Sequence, residues 1–212
     1  MADLRPPARL SSLHHRTEIR GESGAVRIAE IPFLGKFILR ADPHQAVEPL
    51  RAALGLGLPF EPLTSSTLRE SAFLWMGPDE WMMVTAPDKA ADRSRTARDA
   101  LADIRYQLVE VSDYYTIIEV AGREARPLLM KLTTLDMHPR AFRAGTVAGS
   151  MFGRANAMIW QNRSDADDDG PIFRLFIRWS MADYLWCIIA DAGREWGVLE
   201  QSPLKGERLT VG

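Results

Sequence analysis

The chain has 212 residues, 46 % of them hydrophobic and 25 % charged, which is ordinary globular composition and enough to bury a sizeable core. Twenty-six basic residues face 28 acidic ones for a net charge of −2, so no field of one sign draws the chain to nucleic acid or to an anionic membrane surface. Its single cysteine excludes an internal disulfide framework and suits a reducing compartment.

Residues 1–24 are rich in Pro, Ser and Arg and lack any apolar period, so they read as an irregular N-terminal arm. The first ten residues have no apolar h-region, so a secretory signal is not expected. No run of 18 apolar residues exists to cross a membrane. Residues 25–40 alternate as one or two strands broken near Pro32. Asp42-Pro43 starts a helix that Gly55 and Gly57 stop after Leu54. Next comes A-F-L-W-M-G-P-D-E-W-M-M-V-T over residues 72–85, two arms of large apolar residues around the turn Gly77-Pro78-Asp79-Glu80. This is a hairpin buried on both faces, or one with a face in its own core and the other against a second protein. Residues 88–104 predict an amphipathic helix with Ala90, Ala91, Ala97, Leu101 and Ile104 inward.

The second half repeats this grammar. Residues 107–120 give two strands around Ser112-Asp113, and Gly122 opens a helix through Leu132. Residues 145–151 and 155–160 form a hairpin turned at Phe152-Gly153-Arg154. An acidic loop, S-D-A-D-D-D-G, precedes a strand, and a final helix runs over residues 180–196. Paired strands followed by helices predict an α+β fold of two joined halves, 25–104 and 105–200, with antiparallel sheets and helices packed on them. A tail follows over 201–212.

Few residues suggest chemistry. Asp165, Asp167, Asp169 and Gly170 begin like a calcium loop, but Phe176 stands where a bidentate Glu is required, so the loop reads as a solvated hairpin turn. Gly55-Leu56-Gly57 follows a helix, not a strand, and lacks the third glycine of a dinucleotide fingerprint. His14, His15, His44 and His138 form no zinc-ligand spacing. Cys187 lies in the apolar run Leu185–Ile189 and reads as a buried small hydrophobe. Asp113 and Asp136 read as turn residues. The residues themselves thus assign no catalytic, cofactor-binding or metal-binding position.

One resemblance adds to this. The run V-E-V-S-D-Y-Y-T-I-I-E-V-A-G-R-E-A-R-P-L-L-M-K-L-T-T-L-D, followed by G-T-V-A-G-S-M-F-G, is similar to the folate-binding aminomethyltransferase superfamily. Within it, L-W-M-G-P-D-E-W-M-M-V, L-D-M-H-P-R-A-F and R-W-S-M-A-D-Y-L-W resemble the gamma subunits of heterotetrameric sarcosine oxidase. The resemblance implies an aminomethyltransferase-like fold. It also implies a structural, non-catalytic, cytoplasmic subunit that braces the large alpha subunit beside beta and delta subunits. In such an assembly sarcosine is demethylated oxidatively to glycine, with one-carbon transfer to tetrahydrofolate. FAD, FMN, NAD and zinc are expected in the other subunits and none in this chain. Where the catalytic relatives carry acids, this chain has Asn156 and Ala157, and their folate contacts fall on Arg178-Trp179-Ser180-Met181. The alternative is a stand-alone folate-binding one-carbon transferase. For the subunit reading, Trp75, Trp81 and Met83 are the candidate interface residues.

Overall fold

A computed structural model gives the structure of residues 9–199. The start of the N-terminal arm and the tail over 201–212 lie outside the described residues. In chain order the elements are β1 (Ile19–Arg20), β2 (Arg27–Glu30), β3 (Gly35–Ala41), α1 (Pro43–Leu54), β4 (Ser65–Leu68), β5 (Ser71–Gly77), β6 (Glu80–Thr85) and α2 (Ala90–Ala100). There follow β7 (Tyr106–Glu110), β8 (Tyr115–Ala121), α3 (Ala125–Met130), β9 (Val147–Phe152), β10 (Ala155–Arg163), β11 (Ile172–Arg178) and α4 (Ala182–Ala192). The strands make a five-stranded sheet, β4-β5-β6-β3-β7, and a six-stranded sheet, β1-β2-β8-β11-β10-β9. All neighbouring strands in both run antiparallel. The fold is therefore the expected α+β one.

Local chemistry explains the clearest boundaries. The Asp42 carboxylate accepts hydrogen bonds from the His44 and Gln45 backbone N–H groups and caps α1, with Pro43 at its first turn. Gly55 ends the helix at φ 68°, a left-handed conformation that costs glycine nothing. Helix α2 is shorter than its sequence signal because a 3-10 turn at Pro87–Lys89 precedes it, and Ala91 faces solvent, contrary to expectation.

The hairpin β5–β6 is the centre of the five-stranded sheet's core. Alternation gives it two apolar faces. Phe73, Trp81 and Met83, with Phe37 and Leu39 of β3, join Ala46, Leu50 and Leu54 of α1 and Ala97 of α2 in one cluster. Ala72, Leu74, Met82 and Val84 face the other way and meet Ile117, Val147, Trp160 and Phe176 of the six-stranded sheet. Beyond that sheet, α3 and α4 cover a third cluster through Leu128, Leu129, Leu185, Trp186 and Ile189. The order is thus helices, sheet, sheet, helices, with the sheets back to back.

This corrects the interface expectation for two residues. Trp81 is 0 % exposed and Met83 2 %, both sealed beneath the chain's own helices, and the Trp81 indole N–H is satisfied by the Pro59 carbonyl at 2.8 Å. They offer no surface to a second chain in this fold. Trp75 pairs across the hairpin with Trp81 and is half-buried. Cys187 is corrected as well: the inward stripe of α4 is Ala182, Leu185, Trp186, Ile189 and Ala190, which leaves Cys187 exposed, its sulfur 3.3 Å from an Arg16 nitrogen.

The sheets do not follow the chain division at residue 104. Strand β2 pairs with β8, and β7 pairs with β3, so each stretch of chain lends a strand to the other sheet. The break at Pro32 is where the chain crosses from one sheet to the other. The return crossing lies beside it, since the Val111 N–H donates to the Lys36 carbonyl and the Lys36 N–H donates to the Ser112 hydroxyl. A seam at the far side ties the sheets again: the Trp160 indole N–H donates to the Ser65 hydroxyl at 3.0 Å, and that hydroxyl donates to the Gly145 carbonyl.

Replacing Trp81 by Ala should cost about 3–5 kcal/mol in urea unfolding, the range for emptying a buried aromatic site. Trp179→Ala, at a position 61 % exposed, should cost under about 1 kcal/mol.

Candidate functional site

The layer between the sheets opens at one end into a groove of about 450 Å³. Strand β10 contributes Asn156 and Met158, and the register sets Met151 and Gly149 of β9 opposite them. Arg178, the last residue of β11, stands opposite Tyr115 of β8. Met76 and Met82 of the hairpin also line it, with Ser150, Ala157 and Phe176. A Cβ added at Gly149 would meet nothing within 4 Å, so the β9 side is open.

The electrostatics are simple. Arg178 is the one charged side chain of the lining, and its guanidinium lies 5.4 Å over the Tyr114 ring. Burial pushes the Tyr115 phenol above its ordinary value, with Tyr114 and Glu80 adding to the shift and Arg178 opposing it. The groove is where the resemblance implied acids. The structure brings Asn156 and Ala157 to it, together with Arg178, while Trp179 turns away toward a neighbouring groove. Among the described residues the lining holds no carboxylate, imidazole or thiol. It can hold apolar matter and an anion, and it has no group suited to moving a proton near neutral pH.

The other sequence candidates lie elsewhere. Three carboxylates of the acidic loop are turned toward arginines. Asp165 accepts from both forks of Arg126, a side chain 5 % exposed that also reaches the Gln161 amide oxygen at 3.0 Å, the Met137 carbonyl and the Phe173 ring. Asp167 and Asp169 face Arg163. His15 meets Asp183 at 2.9 Å and His44 lies near the Phe60 ring. Among the described residues no three His, Cys, Asp or Glu side chains converge to hold a metal ion.

Sequence reasoning overlooked Lys36. It points between the sheets, 0 % exposed, with its ammonium bonded to the Leu34 carbonyl at 2.9 Å. Burial lowers its pKa to about 8; Asp113 and Glu30 oppose the shift and Arg9 adds to it.

Comparison with known proteins now assigns the fold. Residues 39–195 match the model of the sarcosine oxidase, gamma subunit family. The chain belongs to this family. A sarcosine oxidase subunit gamma from Arthrobacter sp. is 30 % identical over 158 residues, 72 % of this chain and 77 % of that one. A chain of the heterotetrameric sarcosine oxidase of Corynebacterium sp. U-96, solved in complex with pyrrole 2-carboxylate, superposes with a TM-score of 0.78 at 24 % identity, covering 92 % of this chain and 100 % of that chain. Aminomethyltransferase T of the Bartonella henselae glycine cleavage system superposes with a TM-score of 0.58 at 13 % identity, over 86 % of this chain and 48 % of that chain. This gamma-family chain thus has the aminomethyltransferase-like fold that its motifs implied.

Two titrations follow from the geometry. Burial alone would raise Asp165, but hydrogen bonds from Arg126 and Gln161 outweigh it and hold the carboxyl below its ordinary value of 3.8. Its contribution to stability is therefore complete above pH 3.8 and is lost as pH falls through the lower native value. Arg126→Met should cost about 3 kcal/mol at pH 7 and remove this acid-side loss from the stability–pH curve. Lys36 has the opposite sign. Between about pH 8 and 10.5 the unfolded chain keeps a proton that the folded chain has released, so stability rises with pH across that window. Lys36→Met should raise stability at pH 7, by up to about 3 kcal/mol, and flatten the rise, as read from urea midpoints across the pH range.

Proposed function

We propose that this chain is a structural, non-catalytic subunit of a cytoplasmic heterotetrameric sarcosine oxidase. In this reading it braces the large alpha subunit of an assembly completed by beta and delta subunits. The assembly oxidises sarcosine to glycine and passes the one-carbon unit to tetrahydrofolate. FAD, FMN, NAD and zinc belong to the other subunits.

The observation that carries the reading is the groove itself. Family membership ties the chain to sarcosine oxidase, and the fold is that of a folate-dependent transferase. Yet where such a transferase needs a carboxylate, Asn156 and Ala157 stand in a lining with no acid at all. Neither an amide nor a methyl group can take up a proton or hold a cationic intermediate by charge. A domain of this shape without the acid keeps the capacity to pack against other domains, and that is the role assigned to it. No helix among the described residues is long and apolar enough to cross a membrane.

Native purification of the tagged chain from its source tests this. The expected product is a yellow assembly several times the mass of the chain, with flavin absorbance and larger subunits. A colourless species of the chain's own mass would contradict it, and tetrahydrofolate binding by that species would favour the stand-alone transferase.

A further inference from the structure

Tyr115 is shared by two grooves. One is the methionine-lined mouth of the inter-sheet layer. The other, about 480 Å³, is lined by Leu10, Phe33, Asp113, Thr116 and Trp179 among others. The two form one continuous face, and its apolar groups are unusually open. Trp179 is 61 % exposed, Leu10 65 %, Met151 43 % and Tyr114 42 %, four of the ten large apolar side chains left exposed among the described residues. Single exposed apolar residues are ordinary on a protein surface, but a tryptophan, a tyrosine, a methionine and an arginine around a cleft have the composition of interface hot spots.

The charges say what would complement it. Arg9 is already neutralised by Asp113 across the second groove. Arg178 is not: its guanidinium lies over the Tyr114 ring, and no carboxylate of the described residues pairs with it. A guanidinium set on an aromatic face at the rim of an apolar cleft is arranged to receive a carboxylate in bidentate fashion. Met76, Met151 and Met158 offer flexible, polarisable surface that adapts to an apolar side chain.

We infer that this face, from the methionine groove across Arg178 and Tyr114 to Trp179, docks a segment of a larger subunit of the assembly that carries an apolar anchor and a carboxylate. The inference rests on the subunit role proposed above. It moves the contact from the hairpin residues Trp81 and Met83, which are sealed beneath the helices, to the open end of the inter-sheet layer on the hairpin's other face.

Hydroxyl-radical footprinting of the intact, tag-purified complex tests it, with Met130, 51 % exposed and on α3, as the internal reference. Trp179 and Met151 should oxidise at least about tenfold more slowly than Met130, because a docked segment removes their access to solvent. Oxidation of Trp179 and Met151 at the rate of Met130 would overturn the proposal. As a second readout, Arg178→Glu should lower retention of the larger subunits on the tagged chain while its thermal midpoint stays within a few degrees of the parent; wild-type retention by that variant would also overturn it. If the parent chain carries no larger subunit, the subunit role itself falls, and this surface with it. If it carries them with Trp179 open to oxidation, only the surface falls.

Discussion

The contact on which the structure depends is the face-to-face packing of two sheets, Ala72, Leu74, Met82 and Val84 on one side and Ile117, Val147, Trp160 and Phe176 on the other. Every feature of the hairpin follows from it. A sheet with helices on one side and another sheet on its back is buried twice, so its central strands are apolar at most positions on both faces. Alternation then stops being visible, and F-L-W-M and W-M-M-V look like a surplus of large residues when they are the ordinary requirement of a middle strand. The same packing sets the ends of the layer. At one end of the layer Met76, Met82, Met158 and Arg178 line the mouth.

That mouth is also where fold and chemistry part. An aminomethyltransferase-like scaffold brings two strands of the six-stranded sheet, β10 and β11, to one opening, and residue identity there decides what the opening can do. With Asn156, Ala157 and a single cation, it favours recognition of apolar and anionic groups over proton transfer. Two carboxylates of the described residues are instead spent on structure. Glu119, buried, is clasped by Arg27 and Arg174, and Asp165 by Arg126. Buried pairs of this kind fix the geometry of loops and strand ends more than they add net stability.

Much of this was legible in the residues. The α1 boundaries follow from Asp42, Pro43 and Gly55, whose signals are local. Both hairpins are legible from their turn chemistry. What could not be read was long-range. The exchange of β2 and β7 between the sheets depends on which strand pairs with which, and no local pattern encodes that. Strands β1 and β4 escaped because two residues, and S-S-T-L, are too short or too polar for an apolar period. Cys187 was misassigned because a run of apolar letters conceals the helix's outward face, which its stripe of inward residues defines. Lys36 did leave a signal: it interrupts F-L-G-K-F-I-L, a segment apolar at both parities, and such a segment is buried on both sides, its lysine included. The proposed docking face leaves no such signal, since Trp179 and Arg178, at a strand end, belong to no apolar run.

The inter-sheet layer should make the two sheets a single cooperative unit. Native-state hydrogen exchange of the chain, followed residue by residue as denaturant is raised, tests it most directly. Amides of β5, β6, β8 and β11 should open with one common free energy, equal to that of global unfolding. Exchange of the five-stranded sheet at a distinctly lower free energy than the six-stranded one would show two independent halves, and would contradict the account.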